Sequence, residues 1–438
     1  MKYFGTDGIR QSAEKFTKEF INSIIAGLAD YAGTDKKVLI GGDTRESSEW
    51  ILQDLASALE SLGFEYASVE VLPTPAINYC FYEMGFDFAI DVTASHNPYT
   101  DNGIKIFERG PSSGIKLTEP GCEAIEKALE EQKTINIIAT TDRASLHNEA
   151  IDIYKEHLLA YLKETDFSGL KLGMDCANGA MSVLNKSIFE DLGANVEVIS
   201  SNANYGQGIN ANCGSTHLEQ LKSLIKENDL DFGIAYDGDG DRTLLIDHDG
   251  REVDGDEIIA ILANYLNLDK IAITVMANQG IINWAASNNI HAEITAVGDS
   301  NVAEAMRTHQ IEIGGEQSGH IILPGEPTGD GMLTSLMVTK VVAETKKSLH
   351  ELASIITKFP QVIVNMPATP EQKAALKTSE SAKKLLLEYD EKLKSVDGRL
   401  LVRPSGTEPL IRITMWGNDE SKITDLANEL KNKLGESL

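Results

Sequence analysis

Apolar positions along the chain follow two alternating patterns. The first predicts a helix with one apolar face, because apolar residues recur every four positions: Phe16, Phe20, Ile24 and Leu28. The second is a short continuous run, Val-Leu-Ile at residues 38–40, which predicts a buried strand. A glycine-containing polar stretch follows at residues 41–45, and another helical pattern begins after it. The chain therefore begins with the succession helix, strand, polar loop, helix.

The same succession recurs further along the chain. Apolar runs lead into polar loops at residues 88–95, 170–178, 232–241, 271–279 and 311–316. Strands that alternate with helices are typical of α/β domains built around mostly parallel sheets. In such sheets, ligands bind outside the carboxyl ends of the strands. We therefore expect functional residues in these polar loops.

Shifts in composition predict joints near residues 147, 248 and 360. After the last joint, an apolar run at residues 362–364 leads into a helix rich in lysine, glutamate and leucine, and two strand patterns follow. That order is typical of an α+β domain. The predicted fold has three α/β domains with mixed or parallel sheets, at residues 1–147, 148–248 and 249–360. A C-terminal α+β domain at residues 361–438 completes it.

The formal net charge of −28 disfavours some classes of partner. Without an excess of lysine and arginine the protein cannot neutralise many phosphates, so we expect neither nucleic acid nor a membrane as a partner. No apolar run reaches the ~18 residues that a membrane-spanning helix needs, and the first residues show no apolar signal region. The four cysteines are scattered, without the spacing of a zinc site. These features predict a protein of the reducing cytoplasm.

Residues 237–241 read Asp-Gly-Asp-Gly-Asp and directly follow an apolar run. Carboxylates this close repel one another unless a cation neutralises them, and a hard divalent ion prefers such oxygen ligands. An EF-hand loop is excluded, because Arg242 and His248 stand where that loop needs glycine and glutamate. The segment also resembles the nucleophile loop of haloacid-dehalogenase-type phosphatases, in which an aspartate carries the phosphate. A solvated acidic turn is the plain alternative.

Ser95 and His96 lie in the polar loop after the apolar run at residues 88–90. A serine beside a histidine can act as a nucleophile, although most serines in such places cap a helix or turn. An acyl-transfer serine is not supported, because the chain lacks a Gly-x-Ser-x-Gly turn. Lys105, ten residues further on, is a candidate proton acceptor or phosphate contact.

Two more loops carry groups suited to a polar, phosphorylated ligand. The first combines a carboxylate, an amide and a hydroxyl between glycines, which suits recognition of several hydroxyls: Glu316, Gln317, Ser318 and His320. The second offers arginine forks, hydroxyls and backbone N–H groups to a phosphate: Arg403, Ser405, Gly406, Thr407 and Arg412. A plain turn is the alternative for either loop.

These four loops and the opening Phe-Gly-Thr-Asp-Gly-Ile-Arg at residues 4–10 together resemble the α-D-phosphohexomutase superfamily, in the right order along the whole chain. The resemblance implies four domains around a central cleft. It implies that Ser95 carries a phosphoryl group and that Mg²⁺ is held by this phosphoserine and by three aspartates: Asp237, Asp239 and Asp241. It also implies that the phosphoserine converts the substrate to a bisphosphate, which turns over and returns its other phosphate to Ser95.

The family pattern assigns further roles to residues of this chain. Four residues match positions near the phosphoserine: Arg10, His96, Lys105 and Arg242. Among them, Lys105 is our candidate general acid and base. The loop at residues 315–320 would bind the sugar, and the loop that contains Arg403 would hold the phosphate that is not reacting.

The sugar is predicted from finer features of the resemblance. The opening at residues 4–10, the segment at residues 210–217 and Gln317 resemble the branch that interconverts glucosamine 6-phosphate and glucosamine 1-phosphate. The chain departs from that branch at Gln11, at Thr93 and at residues 299–301, Asp-Ser-Asn, where an arginine and an aromatic residue often follow the aspartate. Glucose or mannose phosphates are the alternative substrates. The expected partner is thus a small sugar phosphate, and we also consider a homodimer.

Overall fold

A computed structural model of the protein describes residues 1–138, 140, 144–405 and 409–438. Across these ranges the strands form four sheets in sequence order. Short 3₁₀ helices occur at Ala13–Lys15, Ala180–Val183, Gly206–Gly208, Gly214–Thr216 and Lys394–Val396. No helix within the described ranges is long and apolar enough to cross a membrane.

The first sheet has a parallel centre and an antiparallel side. Its strands lie side by side in the order Phe4–Gly5, Gly8–Ser12, Asp101–Arg109, Phe88–Val92, Lys37–Gly42 and Glu65–Val71, and Gly114–Lys116 also pairs with Asp101–Arg109. Its helices are Lys18–Ala32, Glu46–Leu62, Thr74–Glu83 and Glu119–Glu130. The first predicted helix begins later than its apolar pattern, because Thr17 caps it by accepting a hydrogen bond from the Phe20 N–H, and buried Phe16 precedes it.

The second sheet is also mixed. Its strands lie in the order Glu252–Val253, Thr243–Asp247, Phe232–Tyr236, Lys171–Asp175 and Asn195–Ile199. The last three are parallel to one another, and the first two are antiparallel to their neighbours. The helices of this part are His147–Tyr161, Ser187–Asp191 and Glu219–Asn228.

The third sheet is made of short strands in the order His291–Thr295, Lys270–Thr274, Gly314–Gly315 and Ile321–Ile322. Its helices are Gly255–Tyr265, Gln279–Ser287, Asp299–His309, Gly331–Thr345 and Leu349–Ala353. The strand predicted at residues 311–313 forms instead at Gly314–Gly315. These two residues pair with strand Lys270–Thr274 on one side and with Ile321–Ile322 on the other. The predicted polar loop still follows that strand.

The fourth sheet is antiparallel, with strands in the order Gln361–Pro367, Leu410–Trp416 and Arg399–Pro404. Its helices are Pro370–Thr378, Glu380–Leu393 and Glu420–Ser437. The predicted fold class, α/β domains followed by a C-terminal α+β domain, is confirmed. The boundaries stay a proposal: residue 147 begins a helix, residue 248 follows a strand, and residue 360 precedes one.

Apolar packing joins the first three sheets. One cluster of buried side chains runs from Leu39 through Tyr154 and Tyr236 to Ile356. A separate cluster around Tyr389 belongs to the C-terminal sheet and its helices. The first three sheets therefore share one apolar cluster, and the first sheet also packs a second cluster around Leu28 and Ile90.

Candidate active site

The loops that carry the predicted catalytic residues meet where the first and second sheets adjoin. Ser95 follows strand Phe88–Val92, and the acidic loop follows strand Phe232–Tyr236. These positions are the carboxyl ends of strands that pair in parallel with a neighbour. Gly238 lies against the serine loop, since a Cβ built there would be 2.5 Å from the Ser95 carbonyl oxygen. Glycine is therefore needed for the two loops to touch.

Ser95 has a backbone φ of 52°, in the left-handed region that a serine seldom adopts. Its N–H donates to Thr93 Oγ1 at 2.9 Å, and its carbonyl accepts from Arg45 at 2.9 Å and from Asn210 at 2.8 Å. The hydroxyl group of Thr93 therefore supports the backbone turn at Ser95. The surrounding contacts hold the strained turn, as is frequent at functional sites.

Arg45 is a supporting residue that the sequence patterns do not single out. Its side chain is buried, and its guanidinium pairs with Asp43 at 2.8 Å and donates to the carbonyls of Pro98 and Asn97 at 2.5 and 2.8 Å. The one available signal in the sequence is its place in the polar stretch at residues 41–45, at the end of a predicted strand. Its role is to bind the backbone of the serine loop.

The Ser95 hydroxyl donates to Asp237 Oδ2 at 2.6 Å and lies 3.2 Å from His96 Nδ1. Arg242 also donates to His96 Nδ1, at 3.2 Å. Burial, together with the charges of Arg242 and Arg10, lowers the pKa of His96 to about 4. His96 is therefore neutral near pH 7 and can accept a hydrogen bond at Nδ1.

The acidic loop gathers Asp237, Asp239 and Asp241, which are buried and offer carboxylate oxygens within 4.8 Å of one another. Burial and the charges of the other two raise the pKa of Asp237 well above its usual range. Among the residues described, Asp239 Oδ1 and Asp241 Oδ1 have no hydrogen-bond partner. Buried carboxylate oxygens without partners are costly, so this donor set fits a metal ion with oxygen ligands.

Lys105 lies beside the same carboxylates. Its Nζ is 2.8 Å from Asp239 Oδ2, 3.0 Å from Asp241 Oδ2 and 3.1 Å from Asp7 Oδ2. Burial lowers the pKa of Lys105, but the three carboxylates outweigh it and raise the pKa well above its usual range. In this arrangement Lys105 is protonated and suited to donate a proton, and accepting one requires that the carboxylates be neutralised.

Positive charge is concentrated around Ser95 in a strongly acidic protein. Arg10 Nη2 contacts Asp7 Oδ2 at 2.5 Å, and Arg10 lies on strand Gly8–Ser12, next to the strand that carries Lys105. With Arg242 these residues give three cations around the serine loop. Each of these cations also lies near an aspartate, so they are available to a phosphoryl group to the extent that another cation neutralises the carboxylates.

The loop at residues 315–320 is tied to the end of the acidic loop. Arg242 forms a backbone bridge with His320, and the Thr243 N–H donates to the Gly319 carbonyl at 3.1 Å. Gln317 donates its amide to Asp254 Oδ2 at 3.0 Å, which leaves the amide oxygen as an acceptor. Ser318 is exposed, and both ring nitrogens of buried His320 lack a hydrogen-bond partner among the described residues.

The C-terminal loop brings two arginines together. Arg403 and Arg412 are directly opposite in adjacent antiparallel strands, so their side chains share one face of the sheet. Burial and the charge of Arg412 lower the pKa of Arg403. Like charges placed opposite each other are unfavourable, and an anion between them would relieve the repulsion. Ser405 is buried beside them, whereas Gly406 and Thr407 lie outside the described residues.

Glu316 connects the loops electrostatically. Burial lowers the pKa of Arg242. The carboxylates of Asp241, Asp237 and Glu316 outweigh the effect of burial and raise this pKa. Glu316 also partly offsets the lowering of the pKa of Arg403. The carboxylate of Glu316 therefore acts on a cation of the serine site and on a cation of the C-terminal loop.

Comparison with known proteins assigns successive parts of the chain to the domains of one family. Sequence profiles of the phosphoglucomutase/phosphomannomutase family match at residues 1–136 (alpha/beta/alpha domain I), 152–250 (domain II), 254–359 (domain III) and 341–433 (C-terminal domain). Together they match well over half of the chain.

The chain is similar to curated proteins named phosphoglucosamine mutase. It is 40% identical to that of Caldicellulosiruptor saccharolyticus, with 98% of each chain covered. It is 42% identical to that of Bacillus mycoides, over 94% of this chain and 93% of the relative.

Solved structures share the fold at lower identity. A putative phosphomannomutase from Thermus thermophilus has a TM-score of 0.78 at 20% identity, with 99% of this chain and 98% of the other covered. Aspergillus fumigatus N-acetylphosphoglucosamine mutase, solved in complex with GlcNAc-6P and magnesium, has a TM-score of 0.69 at 17% identity, with 99% and 96% covered. The profiles and the relatives show that this chain belongs to the phosphoglucomutase/phosphomannomutase family, and that it is an isomerase that interconverts phosphohexoses.

Proposed function

We propose that the chain interconverts glucosamine 6-phosphate and glucosamine 1-phosphate in the cytoplasm, through a phosphoserine at position 95 and a bisphosphate intermediate. The observation that carries the mechanism is the Ser95 hydroxyl, which lies 2.6 Å from Asp237 of the acidic loop, in a strained turn whose carbonyl is held by Arg45. The observation that favours the amino sugar is the likeness to phosphoglucosamine mutases over nearly the whole chain.

The chemistry is two phosphoryl transfers in opposite directions. In the first, the bond between phosphorus and Ser95 Oγ breaks while a bond to the free hydroxyl oxygen of the sugar phosphate forms. The hydroxyl proton is taken up by a nearby base, and we assign that role to Lys105 in the state in which the neighbouring carboxylates are neutralised and no longer hold it protonated. After the bisphosphate turns over, its other phosphoryl group moves to Ser95 Oγ and Lys105 returns the proton to the sugar oxygen. Arg10, His96 and Arg242 orient the transferred group, since phosphoryl transfer depends mainly on positioning and charge neutralisation.

Mg²⁺ is the metal that we propose for the acidic loop. Asp237, Asp239, Asp241 and the phosphoserine would hold it, because they provide only hard oxygen donors. When bound, it supplies neutralisation of the charge on the transferred phosphoryl group.

Arg403 and Arg412 would hold the phosphate that is not reacting. We expect Arg403→Ala to weaken binding of a sugar phosphate about tenfold to a hundredfold, because a charge-assisted contact of ~1.5–3 kcal/mol from a half-buried guanidinium is lost. Titration calorimetry measures the affinity. Lys394→Ala removes an exposed cation of the same domain and should leave the affinity unchanged. An unchanged affinity in Arg403→Ala, or loss of Ser95 phosphorylation in that variant, would contradict the assignment.

The proposed substrate is tested by the ratio of kcat/KM for glucosamine 1-phosphate over glucose 1-phosphate and over mannose 1-phosphate. The amine of glucosamine is largely a cation near neutral pH, so the Glu316 carboxylate offers it a charge-assisted contact. Losing one good polar contact costs ~1–3 kcal/mol, so we expect ratios of about tenfold to a hundredfold. Ratios at or below one would instead favour hexose phosphates. In Gln317→Met, which removes the free amide oxygen, the ratios should fall toward one.

A further inference from the structure

Lys116 lies where the first and third sheets meet. It ends strand Gly114–Lys116, and its Nζ is 2.7 Å from Asp7 Oδ1 and 3.2 Å from the Thr6 carbonyl oxygen. Its third partner is Asp299 Oδ2, at the start of helix Asp299–His309. An ammonium group has three N–H donors, and these three acceptors engage all of them. Lys116 therefore has no donor left for a substrate.

The second carboxylate oxygen of Asp7 contacts residues of the proposed active site. Asp7 Oδ2 contacts Arg10 at 2.5 Å and Lys105 at 3.1 Å. Lys105 in turn contacts Asp239 and Asp241. A continuous series of charged contacts thus runs from the start of a helix in the third sheet to the acidic loop.

The start of that helix has two further contacts. Ser300 donates to the Thr6 carbonyl oxygen at 2.9 Å, at the position where the sequence departs from the family pattern. Asp299 Oδ2 lies 3.8 Å from Nε2 of His320 in the sugar loop. The same segment therefore contacts both the opening loop of the chain and the sugar loop.

Partial burial distinguishes this network from an ordinary surface ion pair. The side chains of Asp7 and Asp299 are 20% and 14% exposed, whereas Asp30, the partner of Lys133, is 48% exposed. Ion pairs shielded from water interact more strongly than exposed ones. Burial lowers the pKa of Lys116, but Asp7 and Asp299 outweigh it and raise the pKa, so the lysine is charged.

We propose that Lys116 is a positioning residue that, by holding Asp7 and Asp299 together, sets the place of Lys105 relative to the sugar loop. The inference rests on the proposed function of the same site. Its physical basis is that small misplacements of a reacting group are costly when catalysis depends on orientation. Lys116 acts through Asp7, and it does not touch the reacting atoms.

The kinetic test compares Lys116→Met and Lys116→Arg with Lys133→Met, which breaks an exposed ion pair in the same part of the chain. In Lys116→Met we expect kcat to fall about tenfold to a hundredfold, while the dissociation constant of the sugar phosphate changes less than about threefold. Lys116→Arg should recover most of kcat, because a guanidinium can bridge both carboxylates. Lys133→Met should match the wild type. An unchanged kcat in Lys116→Met, or weaker binding at an unchanged kcat, would overturn the proposal.

A double-mutant cycle tests the bridge between the sheets. If Lys116 acts through Asp299, the double variant Lys116→Met with Asp299→Asn should lose little more kcat than the worse single variant. Additive losses would show that the two residues act independently and would overturn the proposal.

A readout without turnover separates this inference from the proposed function. Lys116→Met should raise amide hydrogen exchange at residues 6–10 and along Asp299–His309, whereas Lys133→Met should not. Unchanged exchange in both segments would overturn the positioning role. Absence of mutase activity in the wild type would overturn the proposed function, and the exchange result would still decide whether Lys116 joins the two sheets.

Discussion

Replacing Ser95 by alanine should abolish mutase turnover, with a loss of at least about a thousandfold. The reason is that the hydroxyl is the proposed phosphate carrier, and no neighbouring group can take its place at Asp237. The strained backbone at φ 52° is held by Arg45 and Asn210 rather than by the hydroxyl, so the variant should fold. Coupled assay of mutase turnover and phosphopeptide mapping measure the two effects.

Ser57→Ala is the matched control, because Ser57 is a buried serine of the same part of the chain, and its hydroxyl donates to the Gln53 carbonyl within its own helix. It should retain wild-type turnover and a phosphate on Ser95. Near-wild-type turnover of Ser95→Ala would reject the mechanism. A phosphate found on Asp239 would favour the aspartyl phosphatase mechanism that the acidic loop also resembles.

Replacing Asp239 by asparagine should weaken Mg²⁺ binding and lower activity by at least about a hundredfold. One of three carboxylates is lost, and with it a negative charge and a hard ligand atom that lacks any other partner among the described side chains. Calorimetric titration with Mg²⁺ measures the affinity for the metal directly. It therefore separates weaker metal binding from the change in activity that follows when Lys105 loses its ion pair with Asp239. Circular dichroism checks that the fold survives.

Asp175→Asn provides the comparison for the metal site. Asp175 is a buried carboxyl at the end of the neighbouring strand, where it accepts a hydrogen bond from the Ala177 N–H at 2.9 Å. Asparagine keeps an oxygen that can accept this hydrogen bond, and Asp175 is not one of the three clustered carboxylates, so Asp175→Asn should leave the Mg²⁺ affinity unchanged. Full wild-type activity in excess chelator, with elemental analysis showing no metal, would contradict a metal requirement.

The strand-end loops could be predicted from the sequence because their signal is local. An apolar run followed by a polar loop located Ser95, Asp237 and Glu316 without knowledge of the tertiary structure. The bounds of a strand are harder to predict where glycines form it, because glycine has a low preference for strands. For that reason the strand at Gly314–Gly315 was predicted a few residues too early.

The residues that support the site could not be predicted in the same way. Arg45 binds the carbonyl of a serine 50 positions later, and Lys116 bridges residues 109 positions before it and 183 positions after it. Nothing local distinguishes these polar residues from solvated ones, because arginine and lysine are mostly exposed in proteins. Only the folded chain shows that their partners come from other strands and helices.

The shared core has a consequence for how the molecule comes apart. Burial of apolar surface provides most of the free energy of folding, and one apolar cluster extends through the first three sheets. None of those sheets can unfold alone without exposing the apolar faces of its neighbours, so they form one cooperative unit. The C-terminal sheet has its own apolar cluster and meets the third sheet through polar contacts such as that of Arg399 with the Ala277 carbonyl. We therefore expect the C-terminal sheet to be able to open near residue 360 while the first three sheets, which share one cluster, stay folded.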